Sequence, residues 1–371
     1  MGSSHTRQQR AVEKRTLVVL DRSKPDDLLL WRNVVEDDCN NEPMIKPEYV
    51  SLLTETSEKA FCALQVGENG GIIYPFILRD LGALKYCPQE LIGYRDTTTP
   101  YGYGGPYLFG GVSEEEVAAF WEALGLWQRE KQVVTEFIRF ALELEHSRTD
   151  YPGQLILKNT NIVRRLDISP GEMWMDFEHK VRKNVNHARS TGLSVERDCE
   201  GKRMRDFLEI YYSTMTRRGA KPSYRFEPSF FSRLNESLRG RYQYFLTLRD
   251  GRTISAELVL YSNNIAYSFL GGTDESAYHL RPNDLLKYEI IKWGMESGLK
   301  WFVLGGGYKA KDGIYKYKRS FAPNCEVPFY IGQRILDPDA YDRLVEARQR
   351  YENSEGNDWE PINDYFPQYR A

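Results

Sequence analysis

The sequence predicts a mixed α/β (α+β) chain in two similar domains, each with a mixed, largely antiparallel sheet. Three observations carry this. Short β-branched and aromatic runs alternate with longer stretches of helical periodicity, the mark of layered α and β elements. Turn triplets, Arg249-Asp250-Gly251 and Ser262-Asn263-Asn264, cut the stretch from Tyr242 to Thr273 into three strands, a meander. The pattern then begins afresh after Pro170, and 371 residues suit two domains.

Taken in order, "TLVVLDRS" from Thr16 reads as a short strand ending in a turn, and "DDLLLWRNVVEDD" as an amphipathic helix. "AFCALQV" and "GIIYPFILRDL" form a hairpin across the tight-turn signal "GENGG", and the hairpin feeds the bend "YGYGGP" at Tyr101–Pro106. Ser113 opens the next helix. Glu116 stands three residues on, a capping-box pattern, and three acids in the first turn suit the positive end of the helix dipole. "VVTEFIRF" is a strand, and "GQLILKNTNIVRRLDIS" contributes two more strand pieces separated by Asn159-Thr160-Asn161.

In the second half, "PGEMWMDFEHKVRKNVNHARSTG" reads as one helix stopped at Gly192, followed by the strand "LSVERD" and two helices. After the meander come the helix "PNDLLKYEIIKWGMESG" and the strand "KWFVLGGG". The expected organisation is a disordered leader over 1–15, domains over 16–165 and 166–345, and a tail over 346–371 that packs back.

Composition narrows the class. Hydrophobic residues make up 41% and charged residues 28%, an ordinary globular balance. No apolar run approaches the roughly 20 residues of a membrane span, and the polar start lacks the apolar centre of a secretory signal. A cytoplasmic protein is expected. Five scattered cysteines with no C-x-x-C, and five histidines with no H-x-x-x-H, predict neither disulfides nor a metal. The net charge of −3 hides two basic segments, His179–Gly192 and Tyr308–Phe321, which together point to a bound anion and away from DNA.

Three segments carry the candidate chemistry. Gly305, Gly306 and Gly307 follow a strand like a phosphate loop but lack its G-K-[ST] ending. Asp312-Gly313 makes a turn where that loop's helix begins, so a nucleotide-hydrolysing P-loop is not expected. The glycines still offer N–H groups to an oxyanion or phosphate, with Lys309 nearby; a plain turn is the competing reading. "GIYKYKRSF" alternates aromatic and basic residues. As a strand it places Lys316 and Lys318 on one face, either to offset charge on an oxygen during acyl transfer or simply to blunt a sheet edge. Arg217, Arg218 and Tyr224 surround a loop punctuated by Gly219 and Pro222, a place for a carboxylate or phosphate.

"VRKNVNHARSTGLSV", "LGGTDESAYHLRPNDLLKYEIIKWGMESGLKWFVLGGG", "GIYKYKRSF" and "YFPQYR" resemble the Fem-type, FemABX-like branch of the GNAT acyltransferase superfamily. "IIYPFILRD", "TTTPYGYGGP" and "VVTEFIRF" resemble its N-terminal half. The resemblance runs from about Thr16 onward. It implies two tandem GNAT-like domains with a substrate groove between or along them. It also implies transfer of an aminoacyl group from aminoacyl-tRNA, or an acyl group from acyl-CoA, to an amine of a peptidoglycan, other cell-envelope or natural-product precursor. No tightly bound cofactor is implied, since the donor is a cosubstrate.

By the family pattern, Lys318 stands near the reacting carbonyl with Gly306, while Gly305 and Gly307 line the groove with the lip formed by Tyr101, Tyr103, Gly104 and Gly105. Arg182, Arg217, Tyr224 and Lys309 are the expected contacts to an anionic donor or acceptor. No general base stands out; Glu257 and Glu289 are the options. Two departures matter. The Q/R-x-x-G-x-G/A signature for CoA is absent, and the segment Tyr211–Gly240 is too short for the long helical arm that would meet tRNA. A CoA-dependent acetyltransferase acting on a sugar, and a non-catalytic binding module, are the competing readings.

Overall fold

The computed structural model describes residues 16–142, 144, 150–220, 225–307 and 311–371. The expected leader over 1–15 lies outside them. The chain divides into two compact units. The first holds residues up to Cys39, Met44–Lys158 and Phe329–Ala371; the second holds Asn40–Pro43 and Asn159–Pro328. The division expected at 165/166 therefore falls seven residues earlier. The second boundary differs more: the chain returns to the first unit at Phe329, not at 346.

The first unit opens with β1 (Val18–Asp21), α1 (Pro25–Asp37) and α2 (Pro47–Leu52). The hairpin β2 (Glu58–Val66) and β3 (Gly70–Asp80) follows, then β4 (Arg95–Thr98), β5 (Tyr107–Gly110), α3 (Glu114–Glu130) and β6 (Val133–Arg139). Ser113 caps α3, accepting from Glu116 N while Glu116 reaches back to Ser113 N, the reciprocal pair its spacing predicts.

Strand periodicity of two splits the hairpin between two layers. Cys62, Leu64, Ile73 and Ile77 pack with Trp31, Val34 and Val35 of α1. Their neighbours Ala63, Ile72, Tyr74 and Phe76 pack with Phe120, Trp121 and Leu124 of α3.

β7 (Gln154–Arg165) is one continuous strand that crosses the boundary between the units; Asn159-Thr160-Asn161 does not interrupt it. In the second unit, α4 (Pro170–Asp176), α5 (His179–Ser190), β8 (Ser194–Asp198), α6 (Met204–Arg218) and α7 (Pro228–Ser237) precede the meander β9 (Tyr242–Arg249), β10 (Arg252–Tyr261) and β11 (Ile265–Thr273). The β9–β10 turn is made by Asp250 and Gly251, both at positive φ, as a tight hairpin requires. Then come α8 (Pro282–Glu296), β12 (Trp301–Gly305) and α9 (Gly313–Arg319). The strand order is β7-β12-β11-β10-β9-β8, antiparallel except where β11 and β12 run parallel. β13 (Glu326–Ile335) and α10 (Pro338–Ser354) complete the chain's regular elements; β13 pairs with β6 in the first unit.

Two further expectations are overturned. The single helix after Pro170 is two helices, because Phe177 turns to extended backbone and drives its ring into the core against Phe321. The carbonyls freed at the break are taken up by the Arg182 guanidinium, which donates to Met175 O at 2.9 Å and to Phe177 O. "GIYKYKR" is not a strand but the helix α9. Asp312 is its N-cap, accepting from Tyr315 N at 2.8 Å, so the supposed turn at Asp312-Gly313 is a helix start. Seven residues are too few for a period of two to be told from one of 3.6.

Candidate active site

The chemistry-bearing residues of the second unit gather around α9. Lys316 and Lys318 lie about 200° apart on this helix, on opposite sides rather than one face. Lys318 turns inward and donates from Nζ to the carbonyl of Gly306 at 2.7 Å. Enclosure of the ammonium, reinforced by the nearby Lys287 cation, pulls the proton affinity of Lys318 down to about 8, against the opposing pull of Glu257 and Asp312.

The acceptor carbonyl sits just past β12, where Gly305 has positive φ and the β7–β12 register shifts by one residue. A Cβ on Gly306 would stand 2.9 Å from Asn159 Nδ2, 3.0 Å from Asn161 Oδ1 and 3.1 Å from Thr160 O, so any larger residue would have to push β7 and its asparagine side chains aside. Gly307 follows in irregular backbone.

The other face of α9 borders a cavity of about 510 Å³, within the range of small-ligand sites. Lys180, Arg281, Lys316 and Arg319 bring four cations to it against Glu178 and Asp284. Burial pushes the Asp284 carboxyl up, against the hydrogen bond from Asn184 Nδ2 at 3.1 Å and the Arg281 and Lys180 charges. The starts of α5 and α8 face the same space and add their N-terminal dipoles. Tyr317 separates this cavity from the core; its hydroxyl accepts from Asn283 Nδ2 at 2.9 Å, and burial raises it well above the ordinary phenol range.

Of the residues singled out from sequence, the structure brings Lys318 and the glycines Gly305–Gly307 together. It gives Arg182 and Arg217 other partners: Arg182 closes the end of α4, and Arg217 donates to Thr273 O at 3.1 Å and stacks over Tyr278. Neither lines the cavity. Lys309 and Tyr224 lie outside the described residues. Glu289 pairs with Arg189 at 3.2 Å, whereas Glu257 is held by Lys287.

Tyr101, Tyr103, Gly104 and Gly105 belong to the first unit. There the bend is fastened by a hydrogen bond from Tyr49 Oη to Tyr101 O at 2.6 Å, a Tyr103–Phe329 ring contact, and Gly105 N donating to Arg139 O at 2.7 Å. The cavity cations Lys180 and Arg281, and the pair Asn184–Asp284, were missed from sequence. Asn184 and Asp284 are a hundred residues apart; of the lining cations, Lys180 falls in the basic segment His179–Gly192 and Lys316 and Arg319 in Tyr308–Phe321, whereas Arg281 carried no local signal.

Residues 175–319 match the acetyltransferase (GNAT) domain family, a segment that contains Lys318, the glycine run and the whole lining of the cavity but for Ser320. Among solved structures, the chain is similar to FemX at a TM-score of 0.63 and 15% identity, over 85% of this chain and 97% of that one. It is also similar to the C-terminal domain of a putative lysylphosphatidylglycerol synthetase from Agrobacterium fabrum, at a TM-score of 0.51 and 12% identity, over 87% and 96%. A conserved protein of unknown function from Bacteroides thetaiotaomicron aligns at 0.51 and 10% identity, over 77% and 89%. No curated sequence matches the chain. Among the described residues no helix is long and apolar enough to cross a membrane. Over residues 175–319 the chain is thus similar to the acetyltransferase (GNAT) domain, and its fold is similar to that of FemX.

Proposed function

We propose that the protein is an N-acyltransferase that moves an aminoacyl or acyl group from an activated donor to an amine of a cell-envelope or natural-product precursor. The observation that carries this is the enclosed Lys318 ammonium at the Gly306 carbonyl, inside the GNAT segment. Direct attack of the amine on an ester or thioester requires positioning and relief of charge on the tetrahedral oxygen. Lys318 Nζ and backbone N–H groups near Gly306 supply that relief. No covalent enzyme intermediate is required, because the donor is already reactive.

The cationic cavity on the far side of α9 is suited to donor phosphates, which both aminoacyl-tRNA and acyl-CoA carry. The fold shared with a domain of a putative lysylphosphatidylglycerol synthetase supports the aminoacyl choice. Charged tRNAs and acyl-CoAs with radiolabelled acyl groups, offered to the purified protein with amine acceptors, test the reading. Transfer from one donor class is expected, and RNase sensitivity identifies tRNA. Lys318→Ala lowers kcat by about a hundredfold or more. Lys316→Glu and Arg281→Glu raise the donor KM about tenfold each while sparing kcat. Full activity in Lys318→Ala removes the lysine from the scheme; ligand binding without transfer favours a binding module.

A further inference from the structure

Lys287 on α8 is a buried cation that the proposed transfer does not use. It donates to both oxygens of Glu257 on β10, at 2.6 and 2.5 Å, and to Ser268 Oγ on β11 at 2.8 Å. Both side chains are nearly sealed, 6% and 4% exposed. All three ammonium hydrogens have acceptors, and its charge stands 5.5 Å from the centre of the Phe302 ring on β12, the strand that leads to Gly306.

One turn earlier on the same face of α8, Asn283 holds Tyr317, the residue before Lys318. One face of α8 thus fixes the backbone of α9 through Asn283 and the charge behind it through Lys287. Among the described residues, the charged groups that act on the Lys318 amine are Lys287 from α8, Glu257 from β10 and Asp312 at the start of α9.

A buried ion pair is weak evidence of stabilisation, since well-packed apolar residues often serve as well, so its presence here calls for another reason. We propose that Lys287 and Glu257 are positioning residues for Lys318: the pair keeps a second cation beside the amine and occupies the carboxylate that would otherwise neutralise it, making Lys318 a proton carrier rather than a permanent cation. The inference rests on the acyl-transfer reading for its purpose.

In that reaction the acceptor ammonium gives one proton to the neutral Lys318 amine. The freed nitrogen lone pair forms the C–N bond, and the C–O or C–S bond to the donor breaks. Lys318 returns its proton to the leaving oxygen or sulfur, and the second proton of the new amide nitrogen goes to water. The lowered proton affinity of Lys318 agrees with this and places it near working pH.

The test needs no substrate. The side-chain signals of isotope-labelled lysines in the full chain are followed by NMR against pH, and the signal missing from Lys318→Ala is assigned to Lys318. A midpoint near 8 is expected. Lys287→Met raises it, leaving less neutral amine at fixed pH below the midpoint, and Glu257→Gln lowers it. Should Lys287→Met fail to fold, Lys287→Gln, which keeps a donor to the Glu257 carboxylate, takes its place, and its midpoint also rises. A wild-type midpoint close to 10.5, or one unmoved in folded variants, overturns the proposal and assigns the pair to the fold alone. If the midpoints move as expected but no donor is turned over, the acyl-transfer reading falls and the electrostatic coupling stands.

Discussion

Arg370 donates from Nε to Asp96 Oδ2 at 2.6 Å, joining two residues 274 positions apart in the chain. Asp96 is fully buried on β4 and also receives Arg79 Nε at 2.6 Å and Tyr369 Oη at 3.0 Å. Tyr369 in turn lies in a cluster with Val134 and with Tyr341 and Leu344 of α10. One carboxylate therefore fastens the last residues onto the first unit.

Removing that carboxylate leaves two guanidinium groups facing each other without their shared anion. Asp96→Ala is expected to cost about 3–5 kcal/mol, the range for breaking a buried pair from one side. Urea unfolding of the two proteins measures it as a lower midpoint. A loss below about 1 kcal/mol would mean that water replaces the carboxylate and that the hub holds little.

The glycines of the Tyr101–Pro106 bend differ in what they tolerate. A Cβ on Gly105 would stand 2.7 Å from Phe140 Cα and 3.0 Å from Arg139 O, both backbone atoms, whereas one on Gly104 makes only ordinary contacts, with Pro100 Cγ at 3.5 Å and with Met44 O and Pro100 Cδ at 3.7 Å. Gly105→Ala is expected to cost about 1–3 kcal/mol through forced backbone movement, and Gly104→Ala about 0.5 kcal/mol or less. Thermal unfolding decides. Gly104→Ala is then the variant with which to ask whether the bend meets substrate, since its turnover can be read on an intact fold.

Lys318 also writes a pH signature on stability. Its folded-state proton affinity is below the ordinary lysine value, so between about pH 8 and 10.5 the unfolded chain binds the proton that the folded one has released. Stability contributed by this group rises with pH across that window, and the burden of a charged buried amine is fully present below it. Melting temperatures at pH 8 and pH 10, compared between wild type and Lys318→Met, should show this rise in the first and its loss in the second. Parallel profiles would mean the amine keeps its proton throughout.

Local signals were legible in the sequence. The Ser113–Glu116 capping box spans four residues, and the β9–β11 meander is three apolar-rich runs of eight to ten residues between turn triplets. Each decides backbone geometry within its own window. Lys318 and Gly306, twelve residues apart, were brought together from sequence only by the resemblance to Fem-type proteins. Tertiary structure decided the rest. Burial of Phe177 broke a continuous helical pattern. An N-capping Asp312 and the packing of Tyr317 on Phe321 made a helix of a segment whose alternation read as a strand. The cationic cavity and the Lys287–Glu257 pair unite side chains from separate elements, as Asn184 meets Asp284 across a hundred residues. No local period encodes such contacts. They exist because apolar faces leave water together and oblige the few polar groups carried in with them to satisfy one another.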